Sequence, residues 1–287
     1  MPTAVLPTDL LTRILCKLGL SISTTPSLEV LNQIYMAWCQ RVPFDNVQKL
    51  IHVRGGHNTA LPGSTAQDFF NNWLDHGTGG TCWSGSNALA ALLTSLGFSA
   101  QRQIGTMLAA PDLSPNHGTV VVHFDPDENY LVDTSILHHL PLRLHSGGIT
   151  AIAHPAWGIQ ATRQQERWHI HWRPLHMTAG FVCRYEPFGD EYLDFERRYD
   201  QTRGWSPFNY QLSARLNRGN EVISFAFGNA VTLHEDGRVT SRPVTHGERT
   251  AFLVEEMGFS EEIAQRLPQD VPTPPPPGSR KAELHMA

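Results

Sequence analysis

Over the first hundred residues or so, apolar positions recur at intervals of three and four, the spacing of one face of a helix. Leu10, Leu11, Ile14, Leu15 and Leu18 form the first such stripe, and Gly19 follows as a stop. A second helix is predicted from about Ser27 to Gln40, with Pro43 blocking its continuation. A third begins near Ser64 or Thr65, with Gln67 and Asp68 as capping partners, and carries Phe69, Phe70, Trp73 and Leu74 towards Gly77. The fourth follows Cys82: Ala88, Leu89, Leu92, Leu93 and Leu96 are apolar, and Gly97 ends it.

After Gly97 the period shortens to two. The runs "SAQRQIGTM", "TVVVHF", "NYLVD", "HLPLRL", "RWHIHW" and "AGFVCRY" read as strands. Turn clusters such as "DPDEN" and "HSGG" separate them, which predicts an antiparallel sheet or barrel. The acidic "DEYLDFERRYD" reads as a helix leading to a third region. That region has strands in "NYQLSARL", "EVISFAFG" and "AVTLHEDGRVTSRPV", a turn at Asp236-Gly237, and a helix from about His246 to Met257. The closing "PTPPPPGSRKAELHMA" has the composition of a disordered, polyproline-like tail. Helices first, strands next and a mixed lobe last give the class α+β, divided at 1–100, 101–203, 204–270 and 271–287.

At 287 residues and 40% hydrophobic, the chain has material for one large domain or two to three small ones. A formal net charge of −5 offers no basic field for a nucleic-acid backbone, so no nucleic-acid partner is expected. The start, "MPTAVLPTDLLTRILCKLGL", lacks a basic leader and carries Asp9 and Arg13 inside its apolar stretch. It reads as an amphipathic helix, not a signal peptide. No apolar run approaches the roughly 18 residues of a membrane span, so no membrane partner is expected and the location expected is cytoplasmic. Cys16, Cys39, Cys82 and Cys183 include no C-x-x-C pair, which speaks against a disulfide framework or a zinc site. Cys16, Cys39 and Cys183 fall within apolar segments and are expected to be small buried side chains.

Cys82 is different. In "GTGGTCWSGSNALAALLTSLGF" it stands behind Gly77, Gly79 and Gly80, where loop turns to helix. Unpaired N–H groups and the positive end of the helix dipole at such a place favour a thiolate. The glycines leave room for a substrate. Neither G-x-x-x-x-G-K-[ST] nor G-x-G-x-x-G is present, so a phosphate loop is not the reading. A nucleophilic cysteine needs a base, and the base an orienting group. Among 15 histidines the useful stretch is "NHGTVVVHFDPDENYLVD", which reads as a hairpin. A turn centred near Asp125 sets His117 across from Asp133, whereas a centre two or three residues later favours His123. The residues alone leave both open. The histidines of "HHLPLRLH" and "HIHWRPLH" lack a carboxylate or cysteine at ligand spacing, so no metal site is expected.

"VPFDN", "GGTCWSGSNALAALLTSLGF", "NHGTVVV" and "YLVD" occur in the order and at the spacings of the arylamine N-acetyltransferase family. The chain resembles that family from its N-terminal helices through "SPFNYQLSARL". The resemblance implies a helical bundle carrying the nucleophile, a β-barrel carrying the histidine and aspartate, and an α/β lid, around a cysteine-protease-like core. It implies Cys82 as nucleophile, His117 as base and Asp133 as orienting carboxylate, and so chooses between the two histidines. Phe44, Thr81, Trp83, Thr134, Ser135 and Ile136 are expected to bind substrate. The implied reaction is ping-pong. Cys82 takes an acyl group from a thioester, acyl-CoA or an acyl-carrier protein, and passes it to a small-molecule amine, with no permanently bound cofactor.

The surroundings depart from the family's Arg-Gly-Gly-x-Cys-x-Glu-x-Asn: Thr78, Ser84 and Ser86 stand for the arginine, glutamate and asparagine. Asp45 replaces the usual glutamate, and Thr134-Ser135-Ile136-Leu137 replaces Val-Gly-Phe-Gly. A complete triad in altered surroundings implies a divergent member with a different acceptor or donor, akin to the amide synthases of natural-product pathways. A transglutaminase-like enzyme or thiol hydrolase is the alternative for the same Cys-His-Asp order. A pseudoenzyme keeping only the fold is the third reading.

Overall fold

The computed structural model describes residues 5–21, 25–108, 114–174, 180–187 and 192–277. It opens with α1 (Thr8–Leu18), α2 (Leu28–Arg41), a short strand β1 (Phe44–Asp45), α3 (Val47–Arg54), α4 (Ala66–His76) and α5 (Cys82–Ser95). Strands follow: β2 (Ser99–Met107), β3 (His117–Asp125), β4 (Glu128–Val132), β5 (Leu142–Leu144), β6 (Thr150–Ile152), β7 (Ile159–Gln164), β8 (Arg167–Trp172) and β9 (Phe181–Tyr185). After α6 (Tyr192–Gln201) come β10 (Ser213–Arg218), β11 (Glu221–Ala226), β12 (Asn229–Leu233), β13 (Val239–Pro243), α7 (His246–Glu255) and α8 (Glu261–Gln265).

Local chemistry sets the helix ends. The hydroxyls of Ser27 and Thr65 accept from the amides of Val30 and Asp68, and Gly19 and Gly77 close α1 and α4 in the left-handed region. Every residue from Cys82 to Leu93 is buried, so α5 is the axis of the first half. Trp38, Phe69, Phe70 and Trp73 pack into the same core as Leu89, Leu92 and Leu93. Cys39 and Cys183 are buried, but Cys16 is exposed, contrary to expectation. α1 buries Leu10, Ile14 and Leu18, four residues apart, and Cys16 lies about 200° around the helix from Ile14.

β2 to β9 form one antiparallel sheet in the order β5-β4-β3-β2-β9-β8-β7-β6. Its edges, β5 and β6, approach one another and nearly close it into a barrel. Val121, Leu131, Ile136, Ile159, Ile170 and Cys183 fill its interior. The class is α+β, as expected.

The C-terminal sheet runs β1-β10-β11-β12-β13, so its edge strand comes from the N-terminal half. Phe44 pairs with Arg215 and Asp45 with Ala214. α3 follows that strand across: Val47 and Leu50 pack with Leu212, Phe225, Leu253 and Ile263. Residues 44–54 therefore share the C-terminal core, although a boundary at residue 100 assigns them to the helical bundle. Asn46 ties the two halves. Its Nδ2 donates to the carbonyls of Phe208 (2.9 Å) and Gln211 (2.8 Å), and its Oδ1 accepts from Ser213 N at 2.8 Å. Of the proline-rich end, residues 271–277 form no helix or strand, and the remainder lies outside the described residues.

Removing that tie leaves two carbonyls and one amide without partners in a buried seam. Asn46→Ala should lose about 2–4 kcal/mol of stability. Urea unfolding measures it, and a midpoint equal to wild type would show that the seam does not depend on Asn46.

Candidate active site

The loop before α5 is shaped by close backbone approach. Gly79 N donates to Asp45 Oδ2 at 2.6 Å, and Asp45 N donates to Gly80 O at 3.1 Å. Asp45 Oδ1 accepts from Val47 N at 2.9 Å. A Cβ on Gly79 would lie 1.8 Å from the carbonyl oxygen of Pro43, a backbone atom with nowhere to move. Only glycine fits there. Burial pushes the Asp45 carboxyl up to about 7, against the pull of the Val47 and Gly79 amides. The brace leaves Thr81 at the helix N-cap and Cys82 in the first turn, with Sγ 4.0 Å from Asn116 O.

His117 opens β3, and Asp133 stands just beyond β4. The two strands pair Val120 with Val132 and His123 with Asn129, which centres the turn on Pro126, one residue later than the placement that sets His117 opposite Asp133. Continued outwards, this register sets Asp133 opposite Thr119, so His117 and Asp133 are diagonal neighbours. The aspartate closes the diagonal because the chain has left the strand: its Oδ2 accepts from His117 Nε2 at 2.6 Å. The imidazole also interacts with the Cys82 side chain, which favours its charged form. His123 is elsewhere, bonded to Asn129 and to Gln101 across the sheet.

All three groups are shielded: Cys82 is 6% exposed, His117 2% and Asp133 0%. Burial opposes the imidazolium, but the Asp133 carboxylate and the neighbouring Cys82 outweigh it and raise the His117 pKa to about 10. Burial likewise opposes the Asp133 anion, yet His117 and the amides of Ile136 and Ser135 hold it well below the usual carboxylate range. Its Oδ1 accepts from Ser135 N (2.9 Å), Ser135 Oγ (2.9 Å) and Ile136 N (2.8 Å). The Tyr35 hydroxyl fixes this turn, donating to Asp133 O (2.8 Å) and accepting from the amides of Asp133 (3.1 Å) and His138 (3.3 Å).

The remaining candidate residues divide into two groups. Phe44 and Trp83 lie near the nucleophile's loop, Phe44 edge-on to Phe208 at 5.4 Å and Trp83 edge-on to Phe195 at 4.8 Å. Thr81 precedes Cys82 and is buried. Thr134, Ser135 and Ile136 serve the Asp133 turn: Thr134 Oγ1 meets Ser86 Oγ at 3.1 Å, Ser135 bonds the carboxylate, and Ile136 enters the barrel core. Sequence reasoning missed the cover over Cys82. Leu61, Ile104, Phe195 and Tyr199 pack with Cys82 and Trp83, and the Tyr199 hydroxyl donates to Pro62 O at 2.7 Å. The signal was the aromatic pair four apart in "DFERRY", one face of α6. Among the described residues, no three or more His, Cys, Asp and Glu side chains are placed to hold a metal ion. No helix among them is long and apolar enough to cross a membrane.

The N-acetyltransferase family model matches residues 27–265. An arylamine N-acetyltransferase of Mycolicibacterium smegmatis is 25% identical over 154 residues, 50% of this chain and 54% of that one. The match thus spans about half the length of that curated relative. Among solved structures, the arylamine N-acetyltransferase from Mycobacterium abscessus superposes with a TM-score of 0.75 at 19% identity, over 90% of this chain and 93% of that one. The Salmonella typhimurium one gives 0.73 at 17%, over 97% of both chains. That from Mycobacterium marinum in complex with CoA gives 0.75 at 18%, over 90% of this chain and 98% of that one.

The His117–Asp133 pair carries a pH signature. Unfolded, an imidazole titrates near about 6.5. The raised value in the fold means its contribution is whole below about 6.5 and drains away as pH climbs towards about 10. Asp133 has the opposite sense: its contribution holds above the ordinary carboxylate value of about 3.9 and fades as pH falls below it. Between pH 6.5 and 10, urea midpoints should fall more steeply for wild type than for His117→Gln, and parallel curves would remove the charged pair from the folded state.

Proposed function

Because this chain belongs to the arylamine N-acetyltransferase family, we propose that it transfers an acyl group from a thioester to an amine through Cys82. The observation that carries this reading is the buried, hydrogen-bonded His117–Asp133 pair beside Cys82 at the start of α5. The sulfur, as thiolate, attacks the donor carbonyl, and the departing thiol takes its proton from the His117 imidazolium. The amine then attacks the Cys82 thioester. His117 takes the ammonium proton as the amide leaves, and the sulfur is again a thiolate paired with imidazolium. Asp133 stays ionised throughout, orienting the ring and stabilising its positive charge. First-turn amides of α5, which lack intrahelical partners, are the donors for the oxyanion in both steps.

The donor we propose is an acyl-CoA, supported by the CoA complex of the M. marinum protein, or an acyl-carrier protein bearing the same pantetheine thioester. A compartment rich in such thioesters and in reduced thiols, the cytoplasm, suits a free nucleophilic cysteine. The acceptor is a small-molecule amine reached past Phe44 and Trp83. Thr134, Ser135 and Ile136 influence it through the Asp133 turn. A thiol hydrolase using the same three groups fits less well, since the cover over Cys82 keeps bulk water from the acyl-enzyme.

Intact-mass spectrometry after incubation with acyl-CoAs and acyl-carrier proteins should show one acyl group on Cys82. Cys82→Ala should lose both the adduct and turnover, and more than a trace of turnover would sink the nucleophile assignment. The half-reactions should also separate. The donor step depends mainly on the triad, whereas discharge depends on an acceptor site shaped through the Asp133 turn, which is altered at 134–137. Misplacing an amine by about 1 Å reduces rate about 100-fold. Single-turnover discharge to aniline should therefore be slow beside an aliphatic amine or amino acid, and rapid discharge to aniline alone would mean the family's acceptor site is intact.

A further inference from the structure

α3 has two working faces. Val47, Leu50 and Ile51 turn to the C-terminal core, whereas Lys49, His52 and Val53 turn the other way. Val53 packs on the cluster of Cys82, Trp83, Leu61, Phe195 and Tyr199, and Lys49 lies one turn earlier on the same face. His52, on the adjoining stripe, meets Arg203 Nη1 at 3.3 Å through Nε2. Lys49 thus stands between the nucleophile's cluster and Arg203, and its charge interacts with both Cys82 and Arg203.

Cys82 is the group that favours the lysine's charge, and among the described residues no carboxylate does so. Lys49 is 3% exposed, and among the described residues it has no hydrogen bond or ion pair. Arg203 is committed elsewhere, to the carbonyls of His57 (2.9 Å) and Thr59 (2.7 Å) and the carboxylate of Asp200 (3.2 Å). A buried cation with a second cation beside it and no carboxylate is strongly unfavourable unless an anion arrives. The phosphates of a CoA or carrier arm lie at the far end of a long pantetheine chain from the reacting carbon. The anion that meets a cation near the sulfur must belong to the reacting end of a substrate.

We infer that Lys49 is a specificity-determining residue that receives a carboxylate carried by the acyl group or by the acceptor amine. This rests on the reading of Cys82 as nucleophile. Burial pulls the lysine down to about 7, with Cys82 acting in the opposite sense, so near neutral pH an incoming carboxylate also draws a proton onto the amine. Substrates without the charge leave that site either empty or neutral, and they forgo the attraction.

Single-turnover kinetics on the full chain test it in two arms. The donor arm compares acylation of Cys82 by succinyl-CoA and by butyryl-CoA. The acceptor arm compares discharge of the acyl-enzyme by 4-aminobenzoate and by aniline. Wild type should favour the carboxylated partner in one arm by about ten-fold or more, and Lys49→Met should erase that preference while leaving the uncharged partner's rate within about three-fold. Lys49→Gln repeats the comparison if the methionine variant does not fold. No carboxylate preference in either arm, or a preference that survives both variants, would overturn the assignment. A Cys82 that accepts neither acyl group would fell the nucleophile reading itself, and this inference with it.

Discussion

An ionised carboxylate wholly shielded from water sets the terms for everything around it. Asp133 is tolerable in the interior only because both oxygens are saturated: Oδ1 by three donors from Ser135 and Ile136, Oδ2 by His117. Meeting that demand bends the chain sharply after β4, and Leu137 and His139 take left-handed conformations (φ 55° and 66°) that side-chain-bearing residues seldom adopt. The strain is held from both sides. Tyr35 of α2 grips the turn through three hydrogen bonds, and Asn217 of β10 donates to the carbonyl of Leu137 at 2.7 Å. The helical bundle, the barrel and the C-terminal sheet therefore meet at one acid, and the triad's geometry is inseparable from how they pack.

A similar economy explains "VPFDN". Pro43 contributes the carbonyl that forces glycine at 79, and Phe44 and Asp45 form the edge strand of the C-terminal sheet. Asp45 pins the loop leading to Cys82, and Asn46 pins the segment leading to β10. Four of these five residues thus fix the approach to Cys82 and the lobe that faces it. Asp45 is costly in its own way, since its burial leaves the carboxyl near neutrality instead of firmly ionised.

Legibility in the sequence followed how local each cause was. α1, α2 and α4 announce themselves because one stripe of each faces one core, and α5 because a long apolar run follows its glycines and ends at Gly97. α3 does not, because Val47 and Leu50 face the C-terminal core while Val53 faces the cluster over Cys82. β6, of three residues, and β7, which alternates only through Ile159 and Ala161, carry too little pattern to read. Cys82 was visible because a helix start behind glycines is a local event. The histidine that meets Asp133 was not: a shift of two or three residues in a turn decides between histidines, and the irregularity between His123 and Asp125 is unreadable beforehand. Nor does sequence say which way Thr134, Ser135 and Ile136 face.

The departures from the family pattern make sense once their contacts are known, because they occur in touching sets. Ser86 and Thr134, two of the altered positions, share a hydrogen bond, and Ser86 also donates to Gly118 O at 2.9 Å. Thr134 in turn lies so close to α5 that a Cβ on Gly85 would come within 2.9 Å of its hydroxyl. Ser84 is enclosed in the same way. A Cβ on Gly80 would lie 2.3 Å from its Oγ, and one on Gly63 would lie 2.8 Å from its Cβ. The 61–64 loop lies against Ser84, held there by Asp68 and by Tyr199 on α6. Close packing makes such changes interdependent, since a volume released at one position must be refilled by its neighbour. The altered positions around Cys82, His117 and Asp133 therefore come in blocks, and within each block one side chain sets the space left to the next.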